Sequence, residues 1–342
     1  MGAIGNRLPR IGIMLLLLLS LCSSAFAVQQ YRAISILPEQ YSGIAEGISS
    51  SGYVVGSCAS STGSSQAFIW DSSNGMRIYD SPDGTYCIPR AVNDSGQVVG
   101  QFMDAMHSLR AAYWDSDGRF HGLEYGCLYG ISGSGLAVGT IGDTVGVYNM
   151  SNNALLTRAI EGRPSCINES GLIGGCQDDG QAWVWSMDGS DHALAAPWLS
   201  SSVGGLSDSG LAVGYCSDFP AVWDADGSCI CIRPLSRTYS GSGVGINDSG
   251  VVAGTCFGLN SEPRRAFVWS SMDGIQELPG LGGASSQAYA INSSGLIVGT
   301  AYDASGVQRA VVWVPVPEPS TLAGIISGIT GIGLLVRRRH LA

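Results

Sequence analysis

The chain has 342 residues and a formal net charge of −10, and it contains no lysine. Five of its 17 arginines lie near the two ends, while all 27 acids lie between Arg10 and Arg337. The central part therefore has twelve basic residues against 27 acids, and this acidity argues against nucleic acid and anionic membrane surfaces as partners. Acidity that only keeps an exported protein in solution is an equally good explanation.

The N-terminus predicts a secretory signal peptide over residues 1–27. Its apolar run has eleven residues, too few to span a bilayer, so an uncleaved anchor is disfavoured. We expect the mature protein to start at residue 28. The parts of the signal are two arginines, the apolar run and a small-x-small cleavage pattern: Arg7, Arg10, Ile11–Leu21, Ala25 and Ala27.

Seven copies of one ten-residue phrase follow, and the second copy is Ala91-Val-Asn-Asp-Ser-Gly-Gln-Val-Val-Gly100. The copies recur at spacings of 36 to 45 residues. A recurrence near forty residues in a strand-rich chain indicates a radial β-repeat such as a propeller blade. The glycines shared by the seven turns are Gly52, Gly96, Gly135, Gly171, Gly210, Gly250 and Gly295.

Each repeat is expected to contain four short antiparallel strands. The first ends at Asn or Ser, and the shared glycine then takes the positive φ that a type I turn with a bulge requires. A variable loop separates the second strand from the third, and a second tight turn leads to the fourth. The sequence therefore predicts an all-β chain, a seven-bladed β-propeller over residues 28–314.

A tryptophan recurs at the end of the third strand in six repeats. The simplest role for a large ring at a fixed place is to fill the wedge between neighbouring blades. A ring of tryptophans that stack on sugars is the functional alternative. The third repeat has Asn149 instead, and the tryptophans are Trp70, Trp114, Trp185, Trp223, Trp269 and Trp313.

The last repeat stops after Trp313 and lacks a fourth strand, while the mature N-terminus offers a spare one. We expect Ile34–Leu37 to pair with Ala310–Trp313, which closes the ring and removes both sheet edges.

The repeat, with Asn-x-Ser-Gly-x-Val-Val-Gly and then Ala-Phe-x-Trp, resembles the HAF-type extracellular repeat over 44–313. Gln66, Arg265 and Arg309 stand where the name-giving histidine is expected, and the third repeat lacks its tryptophan. No activity is attached to that family, so the resemblance implies an architecture and an extracellular address only.

The C-terminal segment 315–342 has three parts: a proline-rich linker, an uncharged stretch at 320–336 and an arginine cluster. The uncharged stretch is just long enough to predict a transmembrane helix, and the positive-inside rule places the arginines after it in the cytoplasm. The segment resembles a PEP-CTERM sorting signal, which implies an exosortase partner, an inner-membrane precursor and a final place at the cell surface or outside it, in a host that makes extracellular polysaccharide. A plain C-terminal anchor is the alternative. The matching residues are Pro317, Glu318, Pro319, Arg337, Arg338 and Arg339.

No catalytic, cofactor or metal site is predicted, because the three mature histidines, His107, His121 and His192, lie far apart. The pairs Asp115/Asp117 and Asp224/Asp226 resemble a calcium loop only faintly, and aspartate in a tight turn also has a local role. Nine cysteines remain after the signal peptide, so their disulfide connectivity stays open.

The main hypothesis is an exported, non-enzymatic surface or matrix protein that binds or scaffolds extracellular polysaccharide. A propeller-type polysaccharide hydrolase or lyase is the first alternative, and a membrane-anchored sensor is the second. The variable loops should share one face of the ring, and that face is the expected recognition surface. Two or more carboxylates converging there in a deep central pocket would favour the enzyme.

Overall fold

A computed structural model describes residues 28–60, 65–79, 86–142, 144–156, 162–195, 200–259 and 262–317. These residues form strands, and none of them belongs to a helix long and apolar enough to cross a membrane. The predicted signal peptide (1–27), the predicted helix at 320–336 and the arginines after it lie outside the described residues.

The described residues contain 27 strands, which form five four-stranded sheets and one seven-stranded sheet. In chain order the strands are β1 (Gln30–Ser35), β2 (Tyr41–Ile48), β3 (Val54–Ser60), β4 (Ser65–Asp71), β5 (Gly75–Tyr79), β6 (Cys87–Val92), β7 (Val98–Met103), β8 (Leu109–Trp114), β9 (Phe120–Ile131), β10 (Leu136–Ile141), β11 (Thr144–Asn149), β12 (Ala154–Leu156), β13 (Arg163–Ile167), β14 (Leu172–Cys176), β15 (Ala182–Ser186), β16 (His192–Ala193), β17 (Ser201–Leu206), β18 (Ala212–Cys216), β19 (Phe219–Trp223), β20 (Cys229–Cys231), β21 (Ser240–Ile246), β22 (Val252–Phe257), β23 (Arg265–Ser270), β24 (Gly274–Glu277), β25 (Gly282–Ile291), β26 (Ile297–Asp303) and β27 (Gln308–Val316).

Strand β9 explains the one large sheet. Its first half pairs with β8, from Trp114↔Phe120 to Arg110↔Tyr125, and its second half pairs with β10 from Gly126 onward. The same strand is therefore the last strand of one repeat and the first of the next.

The shared glycines all have the left-handed conformation that the sequence predicts, with φ between 74° at Gly250 and 92° at Gly52. In each first turn the glycine N–H donates to the carbonyl three residues earlier, as Gly96 does to Asn93 at 3.0 Å. A side chain would be strained at this φ, which is the reason for glycine at these positions.

Antiparallel pairing sorts the connections into two faces. The first and third connections of each repeat are tight turns, and they leave the sheet at one face, which we name the turn side. The second connection and the link to the next repeat leave at the opposite face, which we name the loop side.

The hydrophobic core is divided among the boundaries between repeats. The seven buried clusters each join two successive repeats, and one joins the last repeat to the first through Val298 and Phe68. Residues Tyr31–Pro315 form one compact unit in which these clusters alternate with the sheets.

The tryptophans behave as the wedge interpretation predicts, with a difference in depth. Trp114, Trp223 and Trp313 are fully buried and Trp185 nearly so, whereas Trp70 and Trp269 are only half-buried. The indoles of Trp223 and Trp313 donate to backbone carbonyls of the preceding repeat, Ala195 and Pro279, both at 2.7 Å. The four buried rings therefore cannot stack on sugars.

The N-terminal strand closes the ring, although not with the residues predicted. Strand β1 (Gln30–Ser35) lies beside β27 in the last sheet, so the strand ends before Ile36. Ile36 still donates its N–H to the Ala310 carbonyl at 3.1 Å, and with Leu37 it is buried in the cluster between the last and first repeats. The apolar pair serves as an anchor, because its side chains enter that cluster.

Removing the anchor should weaken closure. We expect Leu37→Ala to lower the free energy of unfolding by about 2–5 kcal/mol, because the side chain is 6% exposed and its loss leaves a cavity. Ile34→Ala is the matched control in β1, where the side chain is 37% exposed and the cost should stay near ~0.5 kcal/mol. Urea unfolding of both variants measures the difference, and equal costs would contradict the anchoring role.

The two depths of tryptophan predict two costs. Trp313→Ala should cost about 3–5 kcal/mol, because it removes a fully buried ring. Trp269→Ala should cost less, since that ring is only half-buried. Calorimetric or chemical unfolding of the two variants tests this order, and a larger cost at Trp269 would show that packing depth does not govern these positions.

Candidate functional site

Two central cavities are separated by a ring of aliphatic side chains, one from each repeat. The cavity on the turn side encloses about 190 Å³ and the cavity on the loop side about 250 Å³. The same seven side chains line both cavities, and we name them the aliphatic ring: Ile48, Val92, Ile131, Ile167, Leu206, Ile246 and Ile291.

The turn-side cavity is lined by the first turns of the seven repeats. In four repeats the residue after the aliphatic ring is asparagine, and its side-chain amide donates to a backbone carbonyl of the next repeat. Asn93, for example, donates to Ser132 at 3.1 Å, and Asn292 donates to Ser49 at 3.0 Å across the ring closure. The amide therefore ties one repeat to the next.

The other three repeats have serine at this position, and a carboxylate crosses these boundaries instead. Asp94 accepts from the Ser51 N–H at 2.7 Å, and Asp248 accepts from the Ser209 N–H at 3.0 Å. Glu169 accepts from the Gly133 N–H with both oxygens, at 2.6 and 2.7 Å. The polar groups of the turn-side cavity are thus engaged in holding neighbouring repeats together.

The loop-side cavity is built differently, because the first strand of each repeat contains a β-bulge. In the first repeat, Ala45 pairs with Gly56 and Gly47 pairs with Val55, so Glu46 has no partner in the ladder. The six other repeats shift register at the equivalent residue. A bulge bends the strand and re-aims a side chain, and all seven bulged residues line this cavity. We name them the bulge ring: Glu46, Arg90, Tyr129, Ser165, Gly204, Val244 and Tyr289.

The bulge also accounts for the glycine that ends each repeat phrase. A Cβ placed on Gly100 would lie 2.1 Å from the Ile88 carbonyl oxygen, two residues before the bulged Arg90. The equivalent glycine of every repeat has the same conflict, at 1.9 to 2.5 Å. The bulge therefore requires glycine opposite it, while the bulged position carries six different residue types in the seven repeats.

The ionisable side chains of the bulge ring are concentrated in one half of it. Tyr289, Glu46, Arg90 and Tyr129 come from the seventh, first, second and third repeats, which are neighbours in the closed ring. The fourth, fifth and sixth repeats contribute the small residues Ser165, Gly204 and Val244. One half of the cavity wall thus carries reactive side chains, and the other half leaves space.

Glu46 and Arg90 form an ion pair in this wall, with Nη1 to Oε2 at 3.4 Å and side-chain exposures of 15% and 35%. Burial raises the pKa of Glu46, and the neighbouring Arg90 guanidinium opposes that rise. Burial also raises the pKa of both Tyr129 and Tyr289, so these phenols stay protonated at neutral pH. The Nε of Arg90 is buried and has no hydrogen-bond partner among the described residues. The site therefore combines a carboxylate suited to proton transfer, a cation and two proton-bearing phenols.

Charge divides the molecule between its two faces. Among the described residues, the turns of the turn side carry twelve carboxylates and one arginine, Arg119. Eight of the eleven described arginines lie on the loop side, either in the bulge ring, in the loops or at the strand ends there: Arg90, Arg110, Arg163, Arg233, Arg237, Arg264, Arg265 and Arg309.

Exposed aromatic side chains follow the same division. Tyr129 belongs to the bulge ring, and the other exposed aromatics of the described residues stand at strand ends on the loop side: Tyr86, Tyr125, Phe219 and Tyr239. The face that the sequence predicts as the recognition surface therefore surrounds the bulge ring with aromatic side chains and arginines.

The residues considered from sequence for metal binding serve turns instead. Asp115 accepts from the backbone N–H of Asp117 and Arg119 at 3.0 and 2.9 Å, and Asp224 accepts from Ser228 N–H at 2.7 Å. His121 contacts Asp115 at 3.2 Å. His107 is exposed between β7 and β8, at the opposite end of the same repeat, and His192 is exposed in β16 of the fourth repeat, so the structure does not bring the histidines together.

One cluster of three cysteine thiols among the described residues has the spacing of a metal site. The Sγ atoms of Cys216, Cys229 and Cys231 lie within 4.8 Å of one another in a single sheet. Burial and the neighbouring thiols raise the pKa of Cys229 to about 12. Soft metals prefer such thiol ligands, but the cluster is far along the sheets from the central cavity and takes no part in it.

Sequence reasoning missed the bulge ring, although one signal was present. The residue immediately before each repeat phrase varies from Glu to Arg, Tyr, Ser, Gly and Val, while its neighbours repeat closely. Of the carboxylates expected to converge in an enzyme, the loop-side cavity has one, Glu46.

No family model matches the chain, and no curated protein matches it. Among solved structures, a streptogramin B lyase is similar with a TM-score of 0.57 and 11% identity, over 84% of this chain and 98% of that one. The virginiamycin B lyase of Staphylococcus aureus gives 0.58 and 10% identity, over 84% and 100%. An oligogalacturonate lyase in complex with manganese gives 0.53 and 9%, over 85% and 97%. The chain has a β-propeller-like fold.

These relatives in structure correct the main functional hypothesis. The expectation of a non-enzymatic binding or scaffold protein is contradicted, because three solved structures that share the fold along nearly their whole length are lyases. They favour the enzyme that the sequence left as its first alternative. Because identities near 10% establish the fold alone, the activity has to be argued from the cavity.

The pKa of Glu46 predicts a pH-dependent effect of its replacement. Because the folded-state pKa is raised, the stability that depends on protonated Glu46 is present below the unfolded-state pKa of about 4.3 and is lost as the pH rises through the folded-state value. Glu46→Gln removes this loss. We therefore expect Glu46→Gln to gain stability relative to the wild type as the pH rises from 4 to neutral, so that its free energy of unfolding increases relative to that of the wild type.

Urea unfolding at a series of pH values measures this trend. Arg90→Met is the companion variant, because loss of the guanidinium should raise the Glu46 pKa further and move the transition to higher pH. A relative stability that falls with pH would show that Glu46 is held in its ionised form.

Proposed function

We propose that this chain is a propeller-type lyase that cleaves glycans in the loop-side cavity. The observation that carries the proposal is the bulge ring, which places Glu46, Arg90, Tyr129 and Tyr289 side by side in one wall of a central cavity. Exposed aromatic side chains on the same face support a glycan substrate, since sugar rings pack on such surfaces.

A lyase fits this cavity better than a hydrolase. Glycoside hydrolysis generally needs two carboxylates on opposite sides of the scissile bond, and the bulge ring has one. Elimination needs one base, one proton donor for the leaving oxygen and a cation beside the developing negative charge. Glu46, the two tyrosines and Arg90 match these three roles.

The environment of each group suits its role. Burial brings the pKa of Glu46 closer to neutrality, where a general base is most effective. The tyrosines keep their protons because burial raises their pKa, so either can donate to a leaving oxygen. The small residues opposite, Gly204 and Val244, leave room for a sugar ring.

We also infer the finer architecture and the address. Division of β9 between two repeats, and seven buried clusters at seven boundaries, support seven blades. The N-terminal signal and the PEP-CTERM-like C-terminus support export, exosortase processing and an extracellular polysaccharide as the natural substrate. This combination would place the enzyme where such polymers accumulate.

Cleavage assays on a panel of acidic and neutral polysaccharides test the proposal. Appearance of new reducing ends together with ultraviolet absorbance from a new C=C bond is the expected result for a lyase. Glu46→Gln should reduce the rate by about 10²–10⁴-fold, the usual contribution of a general base.

Glu277→Gln is the matched control, because that glutamate lies in β24, pairs with Arg265 at 2.7 Å and is remote from the cavity. Its activity should equal that of the wild type. Reducing ends without the ultraviolet signal would indicate a hydrolase, and the absence of cleavage across the panel would reject the proposed enzyme.

A further inference from the structure

We propose that the substrate carries a carboxylate, as a uronate-containing glycan does, and that Arg90 binds this carboxylate. The inference rests on the proposed function and names the substrate class of the same cavity. It starts from the position of Arg90, whose guanidinium is the cation that the bulge ring presents to the cavity.

Arg90 is incompletely satisfied by the protein. Its Nη1 reaches Glu46 at 3.4 Å, whereas Arg265 contacts Glu277 at 2.7 Å and Arg309 contacts Asp303 at 2.8 Å. Its Nε is buried and out of reach of a ligand, but the side chain is 35% exposed and lines the cavity, so a ligand would meet the outer Nη groups. A guanidinium with unused donors binds a carboxylate through two parallel hydrogen bonds. The protein thus leaves this side chain with the capacity to take an anionic group.

The shape of the cavity directs a ligand toward Arg90. In the closed ring of seven repeats, Arg90 belongs to the second repeat, and the fifth and sixth repeats lie across from it. Those repeats contribute Gly204 and Val244, whose small side chains leave the opposite wall open. A sugar ring placed against that wall would present a substituent to the guanidinium.

The distribution of charge makes the loop side the less repulsive of the two faces for an anionic polymer. The turn side carries twelve carboxylates and one arginine in its turns, so it repels polyanions. Among the described residues, the loop side carries eight arginines beside ten carboxylates, so its net charge is far less negative than that of the turn side. The cavity that contains Arg90 lies on this second face.

A carboxylate on the substrate also makes the elimination chemically reasonable. It acidifies the C–H bond next to it, and Arg90 would stabilise the negative charge that develops as the proton leaves. Glu46 takes that proton, the electron pair of the broken C–H bond forms the C=C bond, and the adjacent C–O bond breaks. The leaving oxygen receives a proton from Tyr129 or Tyr289, and subsequent proton exchange with water restores both groups.

The test compares one substrate in two forms, an oligouronate with free carboxylates and its methyl ester. We expect the wild type to cleave the free acid with a kcat/KM at least tenfold above that of the ester, because charge-assisted hydrogen bonds are lost on esterification. Glu46→Gln lacks the general base and should bind both substrates without cleaving them. In calorimetric titrations it should therefore show the same preference for the free acid over the ester.

Arg90→Met should abolish the preference for the free acid without changing binding of the ester. Arg265→Met is the matched control, since that arginine lies on the same face outside the cavity, and it should keep the preference. Because the comparison of acid and ester needs no variant, it stands even where Arg90→Met folds poorly.

The outcomes separate the two proposals. Equal cleavage of acid and ester, each with the ultraviolet signal of a new C=C bond, would overturn the carboxylate inference and leave the lyase intact. Binding of the free acid that depends on Arg90, without cleavage by any form of the chain, would support the inference and reject the enzyme.

Discussion

The ring exists because each repeat is held to the next by the same set of contacts, including the pair formed by the last repeat and the first. A four-stranded sheet buries little by itself, and the apolar clusters lie between sheets rather than within them. Hydrogen bonds across every boundary then set the distance between neighbouring repeats. Where the turn contains asparagine, its side-chain amide donates to a carbonyl of the next repeat, as Asn292 does to Ser49. Where the turn contains serine, a carboxylate of the next repeat accepts from a backbone N–H of the turn, as Asp94 does from Ser51. Only a closed ring satisfies all of these groups at once.

The candidate site follows from a backbone irregularity that the repeats share. Every first strand bulges at the equivalent residue, so seven bulged residues line the central cavity at one level. The surrounding residues are constrained by the bulge, by the glycine opposite it and by the aliphatic ring below. The bulged residue differs between repeats, and the residues at this position set the chemistry of the cavity. A symmetric scaffold can in this way carry an asymmetric site.

The two faces of the ring have separate roles. Turn-side carboxylates serve the joints between repeats and the tight turns, so much of the chain's net negative charge is explained by structure. The loop side contains the arginines, the exposed aromatic side chains and the cavity with Glu46 and Arg90. Acidic composition alone therefore said little about the ligand, because the charge is averaged over two unlike surfaces.

The sequence alone was sufficient for the repeat, its tight turns and the use of the N-terminus in closure. Periodicity, the positive φ of Gly52 and its equivalents, and the missing last strand all arise from local patterns or simple counting. Even there, the closing strand lies earlier than predicted, because Ile36 and Leu37 satisfy a buried cluster formed with the last repeat. The site was decided only by the tertiary structure. Glu46, Arg90, Tyr129 and Tyr289 are as much as 243 residues apart in the chain, and their shared place before the repeat phrase does not show that their side chains meet. They meet because closure brings seven equivalent bulges around one axis, a long-range consequence of packing that no single repeat contains.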